Sequence, residues 1–261
     1  MSYIVRPKKS LGQHFLIDLN IAQAIADTLD NYKNTPILEV GPGMGVLTQY
    51  LLSKGHDLTV VELDHESIEY LQENFPELKG HILEEDFLKL DLSKLFSGNF
   101  CVIGNYPYNI SSQIFFKVLE YKDHIPCCSG MIQKEVAERM AAPPGSKTYG
   151  ILSVLLQAWY HIEYLFTVGE KVFDPPPKVK SAVIKMTRNQ VRQLGCNEPL
   201  FKRIVKTAFN QRRKTMRNSL KSMVGQDCKI LAEPIFNERP ERLSVKQFID
   251  LTNLLESYII K

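Results

Sequence analysis

The stretch Pro36-Ile-Leu-Glu-Val-Gly41-Pro-Gly43-Met-Gly45 joins a short apolar run to a turn that is rich in glycine. The run from Pro36 to Val40 predicts a buried strand, and the pattern from Leu47 to Lys54 predicts the helix that follows it. Glycine lets the backbone approach a ligand closely, so a glycine-rich turn between strand and helix is typical of a nucleotide-type site in a parallel sheet.

Outward from this turn, short apolar runs alternate with helical patterns as far as residue 188. The further predicted strands are Leu58–Leu63, His81–Leu83, Phe100–Ile103, Ser129–Gln133, Tyr164–Val168 and Ala182–Thr187. The further predicted helices are Ser67–Asn74, Ile110–Leu119, Val136–Ala141 and Ile151–Tyr160. Strands separated by helices predict an α/β fold with a mostly parallel, doubly wound, Rossmann-like sheet.

The pattern changes at the polar stretch from Arg188 to Asn197, which we interpret as a linker. Beyond it the sequence is helical throughout, and the Ser244–Gln247 capping box opens a last helix, Val245 to about Ile260. The sequence therefore predicts two domains, residues 1–189 with the sheet and residues 190–261 as a small all-helical domain.

The net charge of +3 over 261 residues conceals an asymmetry. Between Phe201 and Gln226 the chain has eight basic residues and no acidic one, which leaves a net charge of −5 on the remainder. The basic residues in question are Lys202, Arg203, Lys206, Arg212, Arg213, Lys214, Arg217 and Lys221. A basic segment on an otherwise acidic chain indicates binding to a polyanion.

Composition also excludes several classes of protein. The five cysteines are odd in number and lack C-x-x-C spacing, and the six histidines are scattered, so we expect neither a disulfide framework nor a metal site. The N-terminus has no apolar core of the kind found in a signal peptide, and no apolar run reaches membrane-spanning length. We therefore expect a cytoplasmic protein with no membrane partner.

Acidic residues follow the predicted strands at the edge where the glycine turn lies. Glu62 ends the second strand, twenty-one positions after Gly41, where an acid can accept from ribose hydroxyls. Asp86 follows the third strand and is placed to accept from an adenine amine. The spacing G-x-G-x-G differs from the dinucleotide fingerprint, and Glu39 would repel a pyrophosphate but suit a ligand with an ammonium and a sulfonium. These features predict S-adenosyl-L-methionine as the cofactor.

The tetrapeptide Asn105-Tyr106-Pro107-Tyr108 follows the apolar run Phe100–Ile103. Adenine's exocyclic amine is a poor nucleophile because its lone pair is delocalised, and two acceptors on its hydrogens would help the nitrogen to pyramidalise. The Asn105 oxygen and the Tyr106 carbonyl, whose direction Pro107 restricts, are the candidates. Tyr108 offers a face on which a base can stack. A turn with no role beyond structure is the alternative.

Taken in order, these motifs make the chain resemble the ribosomal RNA adenine dimethyltransferases. The resemblance covers nearly the whole chain and rests on an ordered set of segments. They are Lys9–Leu16, Glu39–Thr48, Glu62–Asp64, Asp86, Asn105–Ser111, Gln133–Arg139, Pro144–Gly150, Phe173–Ser181 and Phe209–Leu220. It implies a class I S-adenosylmethionine-dependent methyltransferase that dimethylates N6 of two adjacent adenosines in small-subunit ribosomal RNA, with the assembling small subunit as partner.

The resemblance also implies roles for single residues. Against the cofactor it places His14, Leu16, Gly41, Gly43, Glu62, Asp86 and Asn105. Tyr108 becomes one face of a clamp on the target base, and Phe173 is either the second face or a core residue. Arg212, Arg213, Lys214 and Arg217 would bind RNA phosphates from a basic helix. Lys147 and Tyr149 either touch RNA or close a turn. Nothing indicates an obligate dimer, and we expect a monomer.

Three other functions remain open from the sequence. An antibiotic-resistance methyltransferase acting on large-subunit ribosomal RNA shares the Asn-x-Pro-Tyr site, although the Phe173–Val179 segment and the basic segment favour the small-subunit enzyme. A DNA adenine methyltransferase is disfavoured because no separate sequence-reading domain is present. The intact set of acids with Asn105 and Tyr108 argues against a non-catalytic assembly factor without excluding a second role.

Overall fold

The structure is a computed structural model that describes residues 5–8, 11–225 and 228–260. Lys9 and Ser10 of the N-terminal motif, and Gln226 at the end of the basic segment, lie outside the described residues. The chain divides into two compact units. The first unit lies within residues 1–137 and 161–188, and the second within residues 138–160 and 189–261.

A seven-stranded sheet dominates the first unit, and a two-stranded sheet accompanies it. The strands among the described residues are β1 Phe15–Leu16, β2 Ile37–Val40, β3 Leu58–Glu62, β4 Ile82–Glu84, β5 Cys101–Asn105, β6 Cys127–Gln133, β7 Tyr160–Val168, β8 Phe173–Asp174 and β9 Ser181–Arg188. The large sheet has the order β4-β3-β2-β5-β6-β9-β7, and β1 pairs antiparallel with β8.

The described residues also form nine α-helices. They are α1 Leu19–Asp27, α2 Thr48–Ser53, α3 His65–Asn74, α4 Ser111–Glu120, α5 Lys134–Ala141, α6 Ile151–Gln157, α7 Glu198–Asn210, α8 Met216–Val224 and α9 Val245–Leu255. The helix α1, which the sequence pattern did not predict, is capped by the Asp18 side chain, which accepts from the backbone N–H groups of Asn20 and Ile21.

The strands β4, β3, β2, β5 and β6 are parallel, and β9 is antiparallel to β6. This arrangement confirms the predicted α/β class with its mostly parallel sheet. Because parallel strands end at a common edge, the register of β2, β3 and β5 brings their carboxyl ends together. All four residues of β2 are buried, Glu39 among them, as expected for an inner strand of a sheet that is covered on both faces.

A slot left by the missing side chains of Gly104 on β5 and Gly130 on β6 holds the ring of Tyr106, which is only 1% exposed. Gly104 and Gly130 lie opposite each other in the register of these strands. A Cβ on Gly130 would lie 2.1 Å from the Gly104 carbonyl oxygen and 2.7 Å from the Tyr106 ring, and its φ of +146° disfavours other residues. The Tyr106 hydroxyl donates to the Ser129 carbonyl at 2.8 Å, so the ring is anchored at both ends.

In the second unit the capping box at the start of α9 is confirmed, since Ser244 and Gln247 bond each other's backbone N–H groups. The predicted basic helix is wrong. Helix α7 ends at Asn210 and α8 begins at Met216, so Arg212, Arg213 and Lys214 lie in the intervening turn. The run Gln211–Thr215 has no apolar residue to bury, and a helix without a packed face is not sustained.

Two further differences concern boundaries. The helix predicted to reach Tyr160 ends at Gln157, because Tyr160 is already the first residue of β7. Residues 138–160, which the sequence placed with the sheet, group with the C-terminal helices. The division into domains at residue 189 stays a prediction.

No described helix combines the length and the apolar character needed to cross a bilayer. All five cysteines are free thiols, and Cys101, Cys127 and Cys128 are buried. Burial raises the pKa of the Cys127 thiol to about 11 and that of Cys128 to about 12, so both act as small apolar residues of the core.

The slot at Gly104 and Gly130 gives the first testable prediction. Gly130→Ala should lower the free energy of unfolding by about 3 kcal/mol, because the added methyl group overlaps the Gly104 carbonyl and the Tyr106 ring. Urea unfolding followed by circular dichroism measures the change. Gly98→Ala is the control, since nothing lies within 4 Å of its Cβ position. Equal stabilities for the two variants would contradict the tight packing of the slot.

Candidate functional site

A cavity of about 510 Å³ lies at the carboxyl ends of β2, β3 and β5 in the first unit. Its walls come from the glycine turn after β2, the ends of β3 and β5, residues 85–88 after β4, and the chain segment 11–17. A cavity of this size is in the usual range for a small-molecule site, and a crevice at the carboxyl edge of an open sheet is where such sites occur.

Glu62 closes the glycine turn against the end of β3. Its Oε2 accepts from the Gly43 backbone N–H at 3.2 Å, and its Oε1 accepts from the N–H groups of Leu63 and Asp64 at 2.8 and 2.9 Å. Burial raises the pKa of this carboxyl group, while the three N–H donors favour its ionised form. The carboxyl group is therefore held in one orientation at the cavity wall.

Glycine is required at position 43 for two reasons. The residue has a φ of +56°, and a Cβ there would lie 2.9 Å from the Phe15 ring. Gly41 also has a positive φ, at +68°. Both glycines line the cavity, and the Phe15 ring packs closely against Gly43 because that residue has no side chain.

The other two predicted acids also line the cavity. Asp86 follows β4 by two residues, and its Oδ1 accepts from the Leu88 N–H at 3.0 Å. Glu39 is 1% exposed, and its Oε2 accepts from the Thr48 hydroxyl at 2.7 Å. Burial raises the pKa of Glu39 to about 8, which disfavours the charged form of this carboxyl group.

The N-terminal segment, which comprises residues 5–8 and 11–16, is bonded to Asp64, two residues after the end of β3. Lys8 forms an ion pair with Asp64, and Gln13 donates to the same carboxylate at 3.0 Å. Burial opposes ionisation of Asp64, but the bonds from Lys8 and Gln13 outweigh it and hold its pKa below the ordinary value. Asp64 thus fastens the N-terminal segment beside the ribose-type acceptor.

Asn105 ends β5 with its amide oriented by the N-terminal segment. The Asn105 Nδ2 donates to the backbone carbonyl of His14 at 3.1 Å, a contact between residues ninety-one positions apart. Since a carbonyl only accepts, this bond fixes the amide nitrogen toward His14 and leaves the Oδ1 atom as the acceptor presented elsewhere. The side chain lies at the cavity wall, as predicted.

The next two residues of the tetrapeptide act through the backbone. The Tyr106 ring is buried in the slot described above, and its backbone N–H donates to the Met131 carbonyl at 3.0 Å. Pro107 accepts from the Ile110 N–H at 3.3 Å, which closes a turn before α4. The direction of the chain between Asn105 and Tyr108 is therefore set by β6 and by this turn.

Tyr108 is half-buried and lines the cavity. Its hydroxyl is hydrogen-bonded to the Ser181 hydroxyl, and its ring stacks on the His14 ring with centroids 5.5 Å apart. The His14 Nδ1 lies 2.8 Å from the Pro175 carbonyl, to which it must donate. His14 therefore contacts one face of the tyrosine that was predicted to hold a base.

Two predicted residues have different surroundings. Leu16 is 3% exposed but contributes to the cavity wall. Phe173, its partner in the β1–β8 ladder, is also 3% exposed and belongs to the hydrophobic core of the unit. The structure does not bring the Phe173 ring to the cavity, so of the two alternatives it supports core packing.

Sequence reasoning did not assign roles to Gln13, Asp64 or Ser181. Each falls within a motif that carried the resemblance, so the signal was present. Their partners lie between fifty-one and seventy-three positions away, and no local pattern indicates such pairings.

The predicted RNA-binding residues Arg212, Arg213, Lys214 and Arg217 all belong to the second unit. Arg213, Lys214 and Arg217 are exposed. Arg212 is half-buried, and its guanidinium donates to the carbonyls of Ser146, at 3.4 Å, and Lys147. Arg212 thus braces the loop before α6, whereas Arg213 and Lys214 are presented to solvent.

The loop that Arg212 braces includes Lys147 and Tyr149, which were predicted either to touch RNA or to close a turn. Lys147 is exposed, as an RNA contact would require. Tyr149 is fully buried, and its ring packs edge-on against Phe209 at a centroid distance of 6.1 Å. For Tyr149 the structure supports the role of closing a turn.

The chemistry of the cavity lining suits S-adenosylmethionine. It combines the glycine turn, an oriented carboxyl group at Glu62, and a second carboxylate at Asp86. These groups are acceptors and close-approach surfaces for a nucleoside, and among the cavity-lining residues none is a lysine or arginine of the kind that binds phosphates.

Comparison with known proteins identifies the family. The family model described as ribosomal RNA adenine dimethylase matches residues 4–257. Ribosomal RNA small subunit methyltransferase A of Parabacteroides distasonis is 73% identical over 258 residues, which is 99% of this chain and 97% of that protein. The protein of the same name from Flavobacterium johnsoniae is 58% identical, with 97% of each chain covered.

Solved structures share the fold. A dimethyladenosine transferase from Plasmodium falciparum superposes with a TM-score of 0.77 at 22% identity, covering 94% of this chain and 98% of its own. The 23S rRNA methyltransferase ErmE superposes with a TM-score of 0.68 at 24% identity, covering 92% and 99%. Both confirm the class I methyltransferase architecture.

The orientation of Glu62 generates the second prediction. Glu62→Gln should weaken binding of S-adenosylmethionine by about tenfold or more, because the amide has one acceptor oxygen where the carboxylate has two. Isothermal titration calorimetry measures the affinity. The control Glu84→Gln changes an exposed acid in the adjacent position of β4 and should bind as the wild type does. Unchanged binding by Glu62→Gln would remove this residue from the cofactor site.

Proposed function

The chain belongs to the ribosomal RNA adenine dimethylase family, and on this premise we propose that it transfers methyl groups from S-adenosylmethionine to N6 of two adjacent adenosines in small-subunit ribosomal RNA. Each adenosine becomes dimethylated. The observation that carries the proposal is the oriented Asn105 amide, which lies in the same cavity as the glycine turn and Glu62.

Asn105 and Tyr106 supply the acceptors for the target amine. Because the Nδ2 atom of Asn105 is committed to the His14 carbonyl, its Oδ1 atom accepts one hydrogen of the amine. The backbone carbonyl of Tyr106, whose direction follows from the buried ring and Pro107, accepts the other. Drawing both hydrogens toward acceptors localises the lone pair on the nitrogen and makes it a better nucleophile.

When bound, S-adenosylmethionine supplies a methyl group on a sulfonium, an electrophile that needs no further activation. The residues of the chain therefore act on the amine alone, which they position, desolvate and make more nucleophilic through the two acceptors. No strong general base is required, since the methylated amine is acidic enough to lose its proton to water.

Tyr108 receives the target base after the base has left its stacked position in the RNA. Extruding a base costs a few kcal/mol, and stacking on an aromatic ring recovers about 1–3 kcal/mol. The hydroxyl bond to Ser181 keeps the Tyr108 ring from turning. His14 already contacts this ring, so the base and His14 must occupy different faces or His14 must move.

Two transfers to one nitrogen place a constraint on the acceptors. After the first transfer a single N–H remains, and the site must accommodate a methyl group where a hydrogen bond had been. One acceptor is a side chain with rotatable bonds and the other is a fixed carbonyl. This pair tolerates the change better than a rigid full set of hydrogen bonds would.

The second unit supplies contacts to the phosphate backbone. Arg213, Lys214 and Arg217 are exposed cations in a stretch without acids. Such contacts give affinity that depends on salt and carries little sequence information. Selection of the RNA helix then depends on its shape and on its unpaired bases.

The comparisons support the small-subunit substrate over the alternative of a large-subunit ribosomal RNA methyltransferase. The likeness to ErmE is below 25% identity and is a likeness of fold alone. The relative at 73% identity carries the small-subunit name, which supports our choice of substrate. We further propose that the chain acts as a monomer in the cytoplasm on the assembling small subunit, since its substrate adenosines must be accessible before assembly is complete.

Labelling of ribosomal subunits tests the substrate. With labelled S-adenosylmethionine and undermethylated subunits, we expect label in the small subunit as dimethyladenosine. The variant Asn105→Ala should slow transfer by about 100-fold, as loss of a preorganised polar group does in other enzymes. Filter binding should show that this variant retains its affinity for RNA. Label confined to the large subunit would overturn the proposed substrate, and full activity in Asn105→Ala would overturn its role.

Salt dependence tests the contacts in the second unit. Replacing Arg213 and Lys214 together by Ala should reduce the slope of log affinity against log salt concentration by about 2, one for each phosphate contact. The control Lys246→Ala removes an exposed cation that pairs with Asp250 on α9, and it should leave the slope unchanged. Arg212→Ala should instead destabilise the loop that it braces. An unchanged slope in the double variant would exclude this turn from the RNA interface.

A further inference from the structure

Lys117 is a buried lysine for which neither cofactor binding nor RNA binding has given a role. It lies on α4, the helix that begins three residues after Tyr108, and it is 7% exposed. Lysine is almost never buried without partners that compensate its charge. The groups that surround the Lys117 ammonium therefore indicate what it does.

Two backbone carbonyls and two aromatic rings surround the ammonium. The Nζ atom donates to the Leu88 carbonyl at 3.0 Å and to the Leu90 carbonyl at 2.5 Å. It also lies 5.7 Å from the centroid of the Phe87 ring and 5.8 Å from that of Tyr121, both within cation–π range. Burial lowers the pKa of Lys117, and the acids Glu120, Asp86 and Asp91 oppose that shift.

The segment that Lys117 holds is a wall of the cofactor cavity. Asp86, Phe87 and Leu88 line the cavity. The N–H groups of Lys89 and Leu90 donate to the Asp86 carbonyl at 2.8 and 3.2 Å, which folds residues 86–90 into a turn. Within that turn the carbonyls of Leu88 and Leu90 bond to Lys117, so one ammonium spans the turn from outside the cavity.

This turn has little other support from the sheet. The short strand β4 ends at Glu84, before the turn begins, and the Glu85 N–H is the next backbone donor, to the Glu62 carbonyl at 3.1 Å. Asp86 therefore lies beyond the last ladder contact of its strand. A directional bond from another element is needed to keep it at a fixed place in the cavity wall.

We propose that Lys117 is a positioning residue for recognition of the cofactor's adenine, which holds the turn 86–90 from α4 so that Asp86 and Leu88 stay at the cavity wall. The inference rests on the proposed function, because it assumes that Asp86 recognises the adenine amine. It also links the two halves of the site, since the helix that carries Lys117 begins three residues after the tetrapeptide 105–108.

A merely structural lysine would affect stability without affecting the choice of ligand. Lys117 should affect that choice. The probes are S-adenosylhomocysteine and its inosyl counterpart, in which an oxo group replaces the 6-amino group. The wild type should prefer the adenosyl compound, and Lys117→Met should lose about tenfold of that preference or more, because Asp86 is no longer held in place.

Calorimetry measures the two affinities, and hydrogen exchange gives a readout that needs no ligand. In the ligand-free Lys117→Met protein, the amides of Lys89 and Leu90 should exchange faster than in the wild type, since the turn opens more often. Lys117→Arg keeps the charge and the donors, and it should recover part of the preference and part of the protection.

Lys185→Met is the matched control. Lys185 is a half-buried lysine of the same unit whose Nζ lies 5.9 Å from the Tyr32 ring centroid, and it does not line the cavity. Its replacement should leave both the ligand preference and the exchange of residues 89 and 90 unchanged.

The outcomes are distinguishable. If Lys117→Met folds and keeps the wild-type preference, the positioning role is overturned. If it does not fold, Lys117→Gln is measured in its place, because this shorter side chain has no charge and cannot reach both carbonyls as the lysine does; an unaltered preference and unaltered exchange in that variant would overturn the proposal. If the wild type binds neither adenosyl nor inosyl compound, the proposed function itself fails, and the inference fails with it.

Discussion

The absence of side chains at Gly104 and Gly130, on the neighbouring strands β5 and β6, is the constraint on which the site depends. It leaves room for the Tyr106 ring and for no other side chain at these two positions. The ring, bonded to the Ser129 carbonyl, anchors the chain at the point where β5 ends. Asn105 precedes this anchor and Tyr108 follows it two residues later. The buried Tyr106 therefore sets the positions of its neighbours Asn105 and Tyr108, whose side chains line the cavity.

The remaining walls are joined by bonds from outside the sheet. Glu62 ties the glycine turn to β3, and Asp64, two residues on, ties the N-terminal segment to the same corner. His14 then connects that segment to both Asn105 and Tyr108. These bonds join elements far apart in the chain, so the glycine turn, Asn105 and Tyr108 are positioned by one continuous set of contacts.

Most of the fold was predictable, because its signals are periodic and local. Apolar runs and glycine turns predicted the strands of the large sheet and the class of the fold. The error at the basic segment has a physical cause. The stretch after Asn210 was predicted as helix from its setting among helices, but residues 211–215 have no apolar face to pack. For Phe173 the sequence left a clamp and the core open, because its burial depends on the β1–β8 pairing, which no local pattern reveals.

By itself the sequence determined the chemical groups of this site and their order. A parallel sheet places strand ends at one edge, so Gly41, Glu62, Asp86 and Asn105 had to lie near one another once the strands were recognised. The tertiary structure alone decided how each group is oriented and which cations are free. The Asn105 amide faces as it does because a carbonyl ninety-one residues earlier accepts from it. Arg212 braces a loop while its neighbour Arg213 meets solvent. Such choices depend on contacts between distant segments, which exist only after the chain has packed.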